Sequence, residues 1–203
     1  YWGGLTSSSN GQILAAVNYR NGVYRSDDYG NTWFKLGIAS NTYNYWSAIT
    51  SDASGDMIYA ANFGYGIYKK ASSSVITRSD AWQGPIAGSF NSLQWNAITS
   101  DSTGMRLAAV DGGGSGIYTS LDHGSSWTKS SAPSKSWNAI SSDSSGQYVI
   151  AGTWENDGGL YVSSDYGSTW TFKLAGNIDL NAISCSTSYS SSWSCIASTN
   201  PGG

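Results

Sequence analysis

The chain has 203 residues, 14% aromatic and 11% charged, whereas helix-rich domains usually carry about twice that charge share. Ten Lys and Arg against thirteen Asp and Glu leave a net charge of −3, without the basic stripe that nucleic acid or an anionic membrane demands. Ten tryptophans and 39% hydrophobic residues argue against a disordered Gly/Ser tract.

In chain order the sequence reads as short strands separated by turn residues. Trp2-Gly3-Gly4-Leu5 opens the first unit, followed by a small apolar strand at 13–17 and the loop Asn18-Tyr19-Arg20-Asn21. Gly22-Val23-Tyr24 is a third strand, and a fourth starts at Trp33. The second unit begins Tyr45-Trp46-Ser47-Ala48-Ile49, continues at 58–61 and Gly66-Ile67-Tyr68, and reaches its tryptophan, Trp82, late. The third begins Gln94-Trp95-Asn96-Ala97-Ile98, with strands at 107–110, at Gly116-Ile117-Tyr118 and from Trp127. The fourth begins Ser136-Trp137-Asn138-Ala139-Ile140, with strands at 149–151, at Gly159-Leu160-Tyr161 and from Trp170. Two further strands, 180–184 and Cys195-Ile196-Ala197, end the series.

The anchors Leu5, Ile49, Ile98, Ile140 and Ile183 fall 44, 49, 42 and 43 residues apart, and no long segment shows a helical period. Four-stranded units at this spacing predict an all-β fold, a β-propeller of antiparallel blades. The expected blades are 1–40, 41–90, 91–135 and 136–179, with a two-stranded partial fifth at 180–203.

The third and fourth strands are joined by Ser26-Asp27-Asp28-Tyr29-Gly30-Asn31-Thr32-Trp33, by Ser120-Leu121-Asp122-His123-Gly124-Ser125-Ser126-Trp127, and by Ser163-Ser164-Asp165-Tyr166-Gly167-Ser168-Thr169-Trp170. This S-x-D-x-G-x-[ST]-W pattern resembles the Asp-box, or BNR, repeat found in sialidases, xyloglucan hydrolases and sortilin-type receptors. The resemblance implies a propeller over nearly the whole chain and leaves function open, because fold does not carry function. The repeated aspartates read as structural: a short carboxylate accepts backbone N–H bonds in a tight turn while glycine supplies a positive φ. The second unit departs from the pattern at Lys69-Lys70-Ala71-Ser72 and reads as a rebuilt turn.

His123 has no partner at metal-ligand spacing, and Asp111-Gly112-Gly113-Gly114-Ser115-Gly116 lacks the helix and lysine of a phosphate loop. No metal, cofactor, membrane span or catalytic set is expected. Cys185 and Cys195 suit a disulfide across neighbouring strands, which implies a secreted or cell-surface protein; two buried thiols are the alternative.

Strand alternation puts the loops between second and third strands on one face, together with the crossings between blades. That rim gathers Tyr19, Arg20, Phe63, Tyr65, Asp111, Trp154, Glu155 and Asp157, with Tyr43, Asn44, Tyr45, Phe90 and Gln94 from the crossings. Such residues suit a glycan or a protein surface, or they pack locally and bind nothing. Trp2, Trp46, Trp95 and Trp137 share one repeat position, either as a ring at the channel mouth or as packing between blades.

A glycosidase needs two carboxyl groups about 5–9 Å apart. The candidates on the rim are mainly Asp111, Glu155 and Asp157, and neither an arginine triad nor an Arg-Ile-Pro motif is recognisable. The sequence therefore predicts a non-catalytic recognition or scaffold module, with a structural subunit and a degenerate hydrolase as alternatives. The incomplete fifth unit and the start at Tyr1 suggest a fragment of a longer propeller, or self-assembly that covers the open edge.

Overall fold

The computed structural model describes residues 1–37, 45–70, 82–86, 88–154, 158–175, 180–187 and 193–199. Blade 1 is β1 (Trp2–Ser7), β2 (Leu14–Asn18), β3 (Gly22–Ser26) and β4 (Phe34–Lys35). Blade 2 is β5 (Trp46–Ser51), β6 (Ile58–Asn62), β7 (Gly66–Lys70) and β8 (Trp82–Gln83). Blade 3 is β9 (Trp95–Ser100), β10 (Leu107–Asp111), β11 (Gly116–Ser120) and β12 (Thr128–Lys129). Blade 4 is β13 (Trp137–Ser142), β14 (Val149–Thr153), β15 (Gly159–Ser163) and β16 (Thr171–Ala175). The hairpin of β17 (Leu180–Thr187) and β18 (Trp193–Thr199) follows.

Among the described residues all pairings are antiparallel between sequence neighbours, giving four four-stranded sheets and one two-stranded sheet: a β-propeller architecture. The helical content of the described residues is one 3-10 turn, Gly88–Phe90. The second strands run one or two residues beyond the apolar periodicity, because Asn18, Asn62 and Asp111 still pair with Gly22, Gly66 and Gly116.

The core lies between the sheets. Ala15, Val17, Val23 and Leu36 on the trailing face of blade 1 pack against Trp46, Ile49, Tyr68 and Trp82 on the leading face of blade 2. Blades 2 and 3 repeat this with Tyr59, Ala61 and Ile67 against Trp95, Ile98 and Tyr118. Blades 3 and 4 repeat it with Ala108, Val110, Ile117 and Ala132 against Trp137, Ile140 and Tyr161. Trp46, Trp95 and Trp137 are 0% exposed, so the structure assigns these three to packing between blades rather than to a wet ring. Trp2 occupies the same position in blade 1 and is 60% exposed.

A bulge makes this packing work. In each first strand the register shifts across one residue, between Trp2 and Gly4, Trp46 and Ala48, and Trp137 and Ala139, with the same shift in β9. Strict alternation would put Trp46 and Ile49 on opposite faces; one extra residue turns both into the same cluster. It also aims Gly3, Ser47, Asn96 and Asn138 away from the core.

At the other end of the strands, a ladder of turns joins the blades. The amide of Ser9 donates to the Ala53 carbonyl, Ala53 to Ser102, and Ser102 to Ser144, at 2.8, 2.8 and 2.9 Å. Cys185 and Cys195 face each other across β17 and β18 and are disulfide-bonded.

Candidate functional site

The rim loops are hung in a common way. The first residue after each second strand donates its amide to the residue preceding the first-strand tryptophan. Thus Tyr19 donates to Tyr1, Phe63 to Tyr45, Gly112 to Gln94 and Trp154 to Ser136, at 2.9–3.0 Å. Tyr19, Phe63 and Trp154 are therefore equivalent positions, one per blade. Blade 3 has glycine there because a Cβ on Gly112 would run into the Asn96 amide.

The residue before each of these is a latch. Asn62 Oδ1 accepts from the Tyr45 amide at 3.1 Å, and Thr153 Oγ1 from the Gly159 amide at 2.9 Å. Asp111 is the blade 3 version: Oδ1 accepts from Gln94 N at 2.8 Å and Oδ2 from Ser115 N at 2.7 Å. The structure buries it almost completely, so this rim carboxylate fastens its own loop.

The equivalent aromatics and the bulge residues meet in an open groove of about 490 Å³. Tyr19, Phe63 and Trp154 line it with Tyr1, Trp2 and Trp46, while Ser47, Asn96 and Asn138 supply polar edges. Two of these are braced across blades: Ser47 Oγ donates to the Trp95 carbonyl at 2.5 Å and Asn96 Nδ2 to the Trp137 carbonyl at 3.1 Å. Gly3 takes their place in blade 1, where a Cβ would lie 2.8 Å from the Trp46 carbonyl.

A row of tyrosines continues along the rim. Tyr1 stacks on Tyr19 at 5.0 Å, Tyr19 meets Tyr45 at 5.2 Å, and Tyr45 meets Tyr65 at 6.2 Å. The Arg20 guanidinium lies 5.8 Å from the Tyr19 ring centre. Of the residues singled out from the sequence, Tyr19, Phe63 and Trp154 thus converge in the groove, Tyr65 and Arg20 flank it, and Asp111 lies beneath the rim. Glu155, Asp157, Tyr43 and Asn44 lie outside the described residues. Sequence reasoning missed Ser47, Asn96 and Asn138; their signal is the variable second position of the Trp-x-Ala-Ile repeat.

The three S-x-D-x-G-x-[ST]-W turns share one geometry. Asp122 Oδ1 accepts from the Ser120 hydroxyl and the Ser126 amide, both at 2.8 Å, while Oδ2 accepts from the Ser126 hydroxyl at 2.6 Å. Trp127 Nε1 then donates to the Gly124 carbonyl at 3.1 Å. Asp28 and Asp165 repeat the arrangement with Thr32 and Thr169. The Thr32 hydroxyl and amide, then the Ser26 hydroxyl, hold the Asp28 carboxyl below its ordinary range. At Asp122 and Asp165 burial pushes the carboxyl up, but the hydroxyl and amide of Ser126 or Thr169, with the turn serine, outweigh it and hold it low.

A second, wider bowl of about 800 Å³ opens at the turn ladder, lined by serines with Asp52, Asp101 and Asp143. These carboxylates are also fasteners: each takes a backbone amide five residues on, from Met57, Arg106 and Tyr148, and the hydroxyl of Ser54, Thr103 or Ser145. Among the described residues no three His, Cys, Asp or Glu side chains are placed to hold a metal ion. No described helix is long and apolar enough to cross a membrane.

No family model matches the sequence, and no curated protein matches it. Solved structures do. An ancestral GH74 enzyme is similar over 90% of this chain and 25% of its own, with 18% identity and a TM-score of 0.67. The GH74 xyloglucanase from Xanthomonas campestris is similar over 84% of this chain and 29% of its own, with 20% identity and a TM-score of 0.63. The GH74 enzyme of Niastella koreensis matches over 91% and 26%, with 19% identity and a TM-score of 0.64. The chain spans between a quarter and three-tenths of these structures' length, and the likeness establishes the shared propeller fold.

Proposed function

We propose that this chain is a secreted, non-catalytic recognition module of the Asp-box kind, binding carbohydrate through the groove on its rim. The observation that carries the reading is the convergence of Tyr19, Phe63 and Trp154 with Ser47, Asn96 and Asn138. The exposed rings of Phe63 and Trp154, beside the half-buried Tyr19, match the C–H faces of sugars, and braced amides and hydroxyls match their hydroxyl edges. The three fastened S-x-D-x-G-x-[ST]-W turns support the Asp-box reading, and the disulfide supports an oxidising compartment. Carbohydrate is also the substrate named for one structural neighbour, a xyloglucanase. Non-catalytic recognition is favoured over hydrolysis because Asp111 is committed to its loop through both oxygens.

Isothermal titration of the chain against soluble xyloglucan and other soluble β-glucans tests the proposal. Saturable binding that weakens at least about tenfold in Trp154→Ala and Tyr19→Ala is expected. Binding indifferent to both substitutions, or none to any polysaccharide, overturns it. Release of reducing ends that is lost in Glu155→Ala replaces it with the hydrolase reading.

A further inference from the structure

The turn between β11 and β12 meets blade 2 across a pocket of about 230 Å³, at the end of the strands opposite the rim groove. Its walls are Lys69, Gln83, Ile86, His123, Gly124 and Ser125. We propose that this pocket binds a tetrahedral oxyanion, a sulfate or phosphate group, with the Lys69 ammonium as its main charge partner.

Arg25 and Lys69 hold the same place in β3 and β7, directly after the tyrosine of each Gly-x-Tyr segment. Both reach the following blade, but their charges are met differently. Arg25 is fully buried, and its Nε donates to Asp27 at 2.6 Å and its Nη1 to the Gly55 carbonyl at 2.7 Å. Asp56 lies 3.7 Å from its Nη2. Lys69 Nζ donates to the His123 carbonyl at 3.2 Å, and among the described residues no carboxylate pairs with it. The sequence shows why. Ala71 stands in blade 2 where blade 1 has Asp27, and Met105 stands in blade 3 where blade 2 has Asp56. Both carboxylates that neutralise the first cation are therefore replaced around the second. A neutral carbonyl holds Lys69 in place and leaves its charge and its other N–H donors at the pocket wall.

The facing wall adds donors and no acid. His123 Nδ1 is buried and has no hydrogen-bond partner among the described residues, a condition that calls for a ligand. Carrying its proton there, it donates. Gln83 and Ser125 stand exposed at the mouth with an amide and a hydroxyl. The wall is fixed from behind: the Gly124 amide donates to Ser120 Oγ at 2.9 Å, and Asp122 is occupied within its own turn. Donors on two walls suit the outward oxygens of a tetrahedral anion better than the coplanar pair of a carboxylate. The neighbouring interface lacks these features. Thr119 takes the place of Lys69 there, and its Cγ2 lies 2.8 Å from where a Cβ on Gly167 would stand, so strand and turn touch. The inference does not depend on the carbohydrate reading.

Titration of the 203-residue chain with sodium sulfate and with sodium phosphate tests the site, followed by proton–nitrogen correlation NMR at an ionic strength held constant with sodium chloride. Saturable shifts of the Gln83, Gly124 and Ser125 amides are expected. Lys69→Gln should weaken binding at least about tenfold. Lys129→Gln, which removes an exposed cation on β12, should leave it unchanged. Ser125→Asp sets a carboxylate at the mouth, at an exposed and variable position of the turn, and should block the anion while the fold is kept. Glucose 6-sulfate and glucose 6-phosphate separate the sources: tighter binding of an ester supports a sugar-borne group, and equal or weaker binding supports the free ion. Shifts that chloride reproduces, no saturation with any of these anions, or full binding retained in Lys69→Gln or in Ser125→Asp overturns the proposal.

Discussion

Asp122 takes two hydrogen bonds from one residue, the amide of Ser126 at 2.8 Å and its hydroxyl at 2.6 Å. With the Ser120 hydroxyl on the same carboxylate, the turn becomes a closed ring of donors and acceptors that holds the following Trp127 in place. Asp122→Ala opens that ring. Charged hydrogen bonds in a partly exposed turn set an expected loss of about 1–2 kcal/mol, measured by urea denaturation. Asp122→Asn, which keeps an acceptor oxygen, should lose less.

The same turns impose a pH dependence. Asp28, Asp122 and Asp165 all have carboxyl groups held low in the folded chain. A carboxyl with a depressed folded pKa binds its proton more readily when unfolded, so its stabilisation is complete above the ordinary value near 4. That stabilisation is lost as pH falls through the lower folded value. The melting temperature should therefore stay level from pH 7 to about pH 5 as far as these groups contribute, then drop below about pH 4. Replacing all three aspartates with asparagine should flatten the drop.

Trp137 and Trp2 share one repeat position and differ in cover, at 0% and 60% exposed. Trp137→Ala should cost about 3–5 kcal/mol, because it empties the interface between blades 3 and 4. Trp2→Ala should change stability by less than about 1 kcal/mol. Chemical denaturation of the two variants checks the difference; equal losses would mean that Trp2 is covered in solution.

His123 sits at φ 57°, in the left-handed region that glycine tolerates best. Tyr29 and Tyr166, at φ 59° and 61°, hold the same place in their turns. His123→Gly should therefore keep the fold and gain up to about 1 kcal/mol from relief of strain. It should leave glucan binding unchanged, since the turn lies away from the rim groove. A loss of binding in calorimetry would move the site.

The disulfide between Cys185 and Cys195 fastens the hairpin beside blade 4. Reduction, or Cys185→Ala with Cys195→Ala, should destabilise the hairpin by about 2–3 kcal/mol. Faster hydrogen exchange in β17 and β18 is expected, spreading to β13, with blades 1 and 2 unaffected.

The repeat itself determined the architecture. Tryptophans and Ile/Leu anchors returning every 42 to 49 residues, with a polar turn after each, define units too small to bury their own apolar faces. The S-x-D-x-G-x-[ST]-W segments likewise gave away their turns, because those hydrogen bonds are local and reach at most four residues. Three matters waited for the tertiary structure, each for want of a local signal. Alternation alone separates Trp46 from Ile49, and only the bulge brings them to one face while aiming Ser47, Asn96 and Asn138 into the groove. Asp111 looked like a free rim carboxylate until the Gln94 and Ser115 amides were found on its two oxygens. Trp82 stands far from its expected place in the sequence, yet it packs 6.3 Å from Trp46 as Trp127 packs 6.1 Å from Trp95. Periodicity records which residues recur; what each one touches depends on how closely the next sheet approaches.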